Sequence, residues 1–113
     1  MTIERWSDEI LLAELPPEPG LSEDLVQVAD EVQALARHVV LNLANVVTIN
    51  SSNLAQMLRV RKVVIEADRK LRLAGVSEQV DNVLSVTGLD RVFDVAEDTA
   101  SALASLQLDE NIT

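Results

Sequence analysis

The chain has 113 residues, a formal net charge of -10 and no cysteine, with 48% hydrophobic and 25% charged residues. That length holds one domain, and the apolar content is too high for a disordered chain. Excluded with cysteine are disulfides, thiolate zinc sites, iron–sulfur clusters and a cysteine nucleophile, while the acidic balance argues against neutralising nucleic-acid phosphates.

No apolar run reaches the ~18 residues of a bilayer span, and residues 1–6 lack the basic-then-apolar pattern of an export signal. The expectation is therefore a single domain over 1–113, cytoplasmic, without membrane insertion, whose partner is a protein or a small molecule.

Thr2–Trp6 predicts a short edge strand, turning at Ser7-Asp8 into a second strand over Glu9–Leu15. Pro16-Pro17-Glu18-Pro19-Gly20 continues neither strand nor helix, so residues 1–20 read as N-terminal strands and a proline-rich turn. Ser22 is placed to cap a helix with Glu23 and Asp24 in its first turn, and Leu25, Val28, Ala29, Val32 and Leu35 recur at helical spacing. Val39–Val47 is apolar on both alternating faces except at Asn42 and Asn45, as a covered central strand would be.

After the polar segment Ile49–Asn53, Leu54, Met57, Leu58 and Ile65 fall on one helical face and Arg59, Lys62 and Glu66 on another. Arg61 falls on the apolar line, which requires either a snorkelling stem or a rotated helix. Leu71, Leu73 and Val76 predict a third core strand ending near Gly75. Ser77 caps a further helix with Val80, Val83 and Leu84 inward and Gly88 as its stop. Val92–Val95 reads as a last short strand, Asp98 opens a final helix using Ala100, Leu103, Ala104 and Leu106, and residues 109–113 read as a frayed tail.

Strands alternating with helices need crossover connections, so the class is α/β, a mixed, mostly parallel sheet of four to five strands with about four helices. Ligand and partner sites in such folds lie where strands pass into helices at their carboxyl ends, and Ile49–Leu54 is one such place.

Catalysis finds little support in the residues. His38 stands alone beside Arg37 and reads as a surface residue at a strand edge rather than a general base. The adjacent acidic pairs, such as Glu23/Asp24 and Glu97/Asp98, point in different directions and read as caps and solvated faces, not metal ligands. Gly20, Gly75 and Gly88 form no phosphate loop. The expectation is a protein that is not an enzyme, with no metal and no cofactor.

Thr48-Ile49-Asn50-Ser51-Ser52-Asn53-Leu54 is the distinctive segment, a hydroxyl-bearing turn that ends a buried strand and opens a helix. It supports two readings. A serine there can cap the helix; equally, a phosphoserine brings about -1.5 to -2 charges to a helix end that stabilises anions. Arg59, Arg61, Lys62, Arg69, Lys70 and Arg72 hold most of the chain's positive charge just beyond this turn, so a phosphate on Ser51 would fall between an acidic body and a basic stretch.

This segment also carries a resemblance to the STAS domain, the family of bacterial anti-sigma factor antagonists. HVVLNLANVVTINSSNLAQMLRVRK is similar to the family's strand-loop-helix core, GVSEQVDNVLSVTGLDRVFDV to its later helix-strand segment, and NSSNL to the pattern D-[ST]-[ST]-G-L. The chain departs from the pattern at Asn50, where the family has Asp, and at Asn53, where it has Gly. Glu14-Leu15-Pro16-Pro17 replaces a Gly-x-Leu-Asp turn with its nucleotide-facing acid.

The resemblance implies partner switching: the unphosphorylated antagonist binds an anti-sigma factor that is also a serine kinase, and phosphorylation breaks the complex. It implies Ser51 as the phosphorylated residue, with Ser52 as the alternative, and a partner surface of Asn50, Ser51, Ser52, Asn53, Leu54, Arg59 and Lys62. The competing implication is a STAS scaffold subunit of an ABC lipid transporter or a stressosome-like assembly, with Ser51 structural.

Overall fold

The computed structural model describes residues 2–112, and the side chains of residues 3–108. Four strands form one sheet in the order β1 (Thr2–Arg5), β2 (Ile10–Glu14), β3 (His38–Asn42), β4 (Leu71–Ala74). β1 runs antiparallel to β2, whereas β2, β3 and β4 are parallel, with Leu12 opposite Val40 and Leu41 opposite Leu73. The three parallel strands therefore share one carboxyl end.

Strand alternation divides the core between the two faces of the sheet. Leu11, Ala13, Val39, Leu41, Leu71 and Leu73 pack with α1 (Gly20–Ala34), α2 (Ser51–Glu66) and α3 (Glu78–Thr87). Ile10, Leu12, Val40 and Ala74 face α4 (Thr99–Ile112), which contributes Ala102, Leu103 and Leu106. The α/β class and mixed sheet stand as expected, with four strands and four α-helices among the described residues.

Several local expectations need correction. α1 starts two residues before Ser22 and ends at Ala34, so Leu35 lies outside it and is 55% exposed. β3 stops at Asn42, not Val47, because the Asn42 side chain accepts from Ala44 N at 3.0 Å and turns the chain. Residues 92–95 form no strand: a 3₁₀ turn at Leu89–Arg91 precedes a single parallel bridge between Leu73 and Val95.

α4 buries Ala102 rather than Ala100 and Ala104, which are exposed. The frayed tail expected at 109–113 falls on residues whose side chains lie outside those described; the helix backbone runs to Ile112.

His38, expected at the surface, is buried, and its Nδ1 accepts from Lys70 N at 3.0 Å, joining the starts of β3 and β4. Elsewhere the pattern is followed closely. Ser77 Oγ accepts from Val80 N at 3.2 Å to open α3, and Gly88 closes it at φ 77°, a left-handed conformation that a glycine adopts without penalty.

α2 is rotated from the face counted on apolar residues. Its buried stripe is Asn53, Met57, Val60 and Val64, with Val63 beside it, while Leu58 and Ile65 point outward. A polar residue heads that stripe, which is why an apolar count begun at Leu54 is displaced by one position. The rotation also accounts for Arg61, half-buried and reaching across to the backbone of the 92–94 segment.

Candidate partner-binding site

Three loops meet at the carboxyl end of the sheet. Leu15 N bonds Asn42 O at 3.0 Å and Leu43 N bonds Ala74 O at 2.8 Å, so the exits of β2, β3 and β4 are held side by side. Gly75 has φ 68° and lies so close to Asn42 that a Cβ would stand 2.8 Å from Oδ1, so only glycine fits. Ser77 Oγ then donates to Val47 O at 3.2 Å, fastening the loop before α2 to the start of α3.

On this platform Asn50 and Asn53 form a reciprocal cap. Asn53 N donates to Asn50 Oδ1 at 2.8 Å, and Asn50 N donates to Asn53 Oδ1 at 3.0 Å. Two of the donors that a helix start leaves unpaired are thereby satisfied. The serine-cap reading of Ser51 is corrected: Asn50 is the cap, and Ser51 and Ser52 are the first two helical residues, both exposed. Among the described residues, nothing hydrogen-bonds the Ser51 hydroxyl.

Asn53 also ties α2 to the proline-rich turn. It is 1% exposed, and its Nδ2 donates to Glu18 Oε2 at 3.2 Å and to Ser22 Oγ at 3.4 Å. Glu18 in turn accepts from the Ser22 hydroxyl at 2.6 Å and from Ser22 N at 2.7 Å. Those bonds, the Ser22 hydroxyl first, then its amide, then Asn53, hold the Glu18 carboxyl below its ordinary value. Ser22 is thus not the cap of α1 but the residue through which Glu18 serves its first turn.

Sequence reasoning missed Glu18, because it was read as part of a chain-breaking run rather than as an acid at a helix start. The residue that follows Glu14-Leu15-Pro16-Pro17 is thus a carboxylate bonded to the helix that bears Ser51.

The expected site residues divide accordingly. Asn50, Ser51, Ser52, Asn53 and Leu54 lie together at the start of α2, with Asn53 buried beneath the others and Leu54 half-buried. Arg59 and Lys62 lie farther along the exposed side, ~12 Å or more from Ser51 at the rise of a helix. Arg59 pairs with Asp30 of α1 at 3.7 Å.

Helical phase puts Ser51, Ala55, Leu58, Lys62 and Ile65 on one stripe, all exposed. Leu58 and Ile65 therefore belong to the outer surface.

The basic stretch expected to flank a phosphate on Ser51 is split by the fold. Arg69, Lys70 and Arg72 lie beyond the other end of α2, ~24 Å of helix away, where Arg69 bonds Glu9 and Arg72 bonds Asp94. What adjoins Ser51 is its helix N-terminus and the Glu18 turn. Among the described residues no three His, Asp or Glu side chains gather as metal ligands, and no helix is long and apolar enough to cross a membrane.

A family model described as STAS domain matches residues 3–102. Solved structures agree in fold. An anti-sigma-factor antagonist (STAS) domain protein of Planctomyces limnophilus superposes with a TM-score of 0.81 at 20% identity, over 94% of this chain and 97% of that one. A candidate anti-sigma factor antagonist of Thermotoga maritima gives 0.79 at 20% identity, over 94% and 93%.

SpoIIAA of Bacillus, in its phosphorylated form, gives 0.71 at 14% identity, over 92% and 96%. Among curated protein sequences none matches at a significant level, so the likeness rests on the family model and the fold.

Proposed function

The chain belongs to the STAS domain family, and on that premise we propose that it is an anti-sigma factor antagonist, a regulatory protein-binding module without catalysis of its own. It acts in the cytoplasm on an anti-sigma factor that carries serine kinase activity. Asn50, Ser51, Ser52 and Leu54 with Arg59 and Lys62 form the partner surface, and Asn53 supports it from beneath as a buried residue rather than a contact. Leu58 adds an apolar contact, and Ser51 is the phosphorylated residue, with Ser52 as the alternative.

One observation carries this reading. Asn50 and Asn53 satisfy the helix start between themselves, so the Ser51 hydroxyl is exposed on the same stripe as Leu58 and Lys62 and has no structural duty. A cap would hold that hydroxyl against the backbone; here it is exposed, as a phosphorylated residue must be. SpoIIAA, which shares the fold, exists in a phosphorylated form.

The switch follows from where the phosphate would stand. Transfer joins Ser51 Oγ to the γ-phosphorus of ATP, breaks the bond to ADP, and passes the hydroxyl proton to the kinase. In the free chain the new charge, about -1.5 to -2, sits at a helix N-terminus whose dipole favours it. In the complex the same charge must be desolvated within the interface, a cost of several kcal/mol unless a cation meets it. Phosphorylation thus favours the free chain.

Incubation with ATP and the cognate anti-sigma kinase, followed by mass spectrometry, is expected to show one phosphate on Ser51 and none on the Ser51→Ala variant. A stable complex in which Ser51 remains unmodified would overturn the switch and favour the scaffold role.

A further inference from the structure

Arg61 belongs to α2 but not to the surface around Ser51. Its Nε donates to Val92 O at 3.2 Å, pinning the helix to the segment that follows the 3₁₀ turn. That bond uses one of the five N–H donors of a guanidinium. Among the described residues nothing accepts from the other four. Arg61 is one wall of a cleft of about 270 Å³ between the C-terminal half of α2, the start of β4 and the 92–94 segment, at the far end of the sheet from Ser51.

Arg61, Arg69, Lys70 and Arg72 all line this cleft, around Ile65 and Phe93. Arg69 bonds Glu9 and Arg72 bonds Asp94, whose carboxylate also borders the cleft. Four cationic groups meeting on a chain of net charge -10 make a local field opposite in sign to that of the molecule. Helix tethering alone accounts for Arg61 Nε but not for a forked donor left open beside three more cations and an apolar surface.

We propose that this cleft binds a small organic anion. The planar fork of Arg61 takes an oxyanion end group, carboxylate or phosphate, and a short apolar body lies against Ile65 and Phe93. The volume lies just below the ~300 Å³ lower end of small-molecule pockets, which restricts the ligand to a compact molecule. Nothing in this assignment depends on Ser51 or its phosphorylation.

The test is amide and Arg Nε NMR of the full chain, titrated separately with benzoate, phenyl phosphate, inorganic phosphate, hexaglutamate and sodium chloride. Saturable shifts at Arg61 Nε–H, Val92 and Phe93 are expected from benzoate or phenyl phosphate, the stronger of the two identifying the end group, with inorganic phosphate weaker.

Arg61→Lys keeps the charge and removes the fork; it should weaken binding about tenfold or more while the rest of the spectrum is retained. Shifts that match those of sodium chloride at equal ionic strength, that survive Arg61→Lys, or that saturate only with hexaglutamate would overturn the proposal.

Discussion

Asn53 donates from Nδ2 to the Glu18 carboxylate at 3.2 Å, while its Oδ1 and backbone amide hold Asn50. One buried amide thus fixes the start of α2 and fastens it to the turn that opens α1. The position where the related motif carries glycine is occupied here by a side chain that makes three hydrogen bonds. The substitution is a different way of shaping the same corner, built on bonding rather than on close approach.

Asn53→Ala removes the side-chain half of that arrangement, leaving Asn50 N without its acceptor and Glu18 with only its two bonds from Ser22. A loss of about 2–3 kcal/mol is expected in urea denaturation, against about 1 kcal/mol for the exposed cap variant Asn50→Ala.

Glu18 makes stability depend on pH. Its folded pKa is depressed below 4.5, so its contribution is fully present above that value and is lost as pH falls through the folded pKa. Glu18→Gln should therefore flatten the decline in urea midpoint as pH falls below the ordinary glutamate value. Equal declines for the variant and the natural chain would show that the carboxylate adds nothing.

Gly75 and Gly88 share a left-handed backbone but differ in surroundings: a Cβ at Gly75 meets Asn42 and Ala44, whereas one at Gly88 meets open space. Gly88→Ala should cost about 1–2 kcal/mol from backbone strain alone. Gly75→Ala should cost more, and it should also perturb the amides of residues 42–47, visible by NMR.

The class, the mixed sheet and most helix positions were legible because they rest on periodicity and on caps with local signatures, such as Ser77 and Gly88. The failures share a cause. Val47, Leu58 and Ile65 are apolar and read inward, but the strand length was decided by Asn42, which turns the chain at Ala44, and the phase of α2 by Asn53, whose bonds reach the Glu18 turn; Leu35 lies just past the last residue of α1. The 92–95 segment has strand-like composition, yet its neighbour on the sheet accepts it at a single bridge.

The grouping of Asn50–Leu54 at one helix start was legible, since a hydroxyl-rich turn after a buried strand is a local feature. That Asn50 and not Ser51 is the cap was not, because Asn and Ser cap helices equally well and only the reciprocal geometry distinguishes them. Glu18 was hidden for a stronger reason. Its partner Asn53 is 35 residues away, and no local pattern announces a bond of that span.

The most direct measurement is the Kd of the complex with the cognate anti-sigma factor, by isothermal titration calorimetry, for the chain unmodified and stoichiometrically phosphorylated on Ser51. At least about tenfold weaker binding is expected on phosphorylation, since placing an unmatched charge in an interface costs more than the ~1.4 kcal/mol that a factor of ten represents. Equal affinity for the two forms would contradict the account.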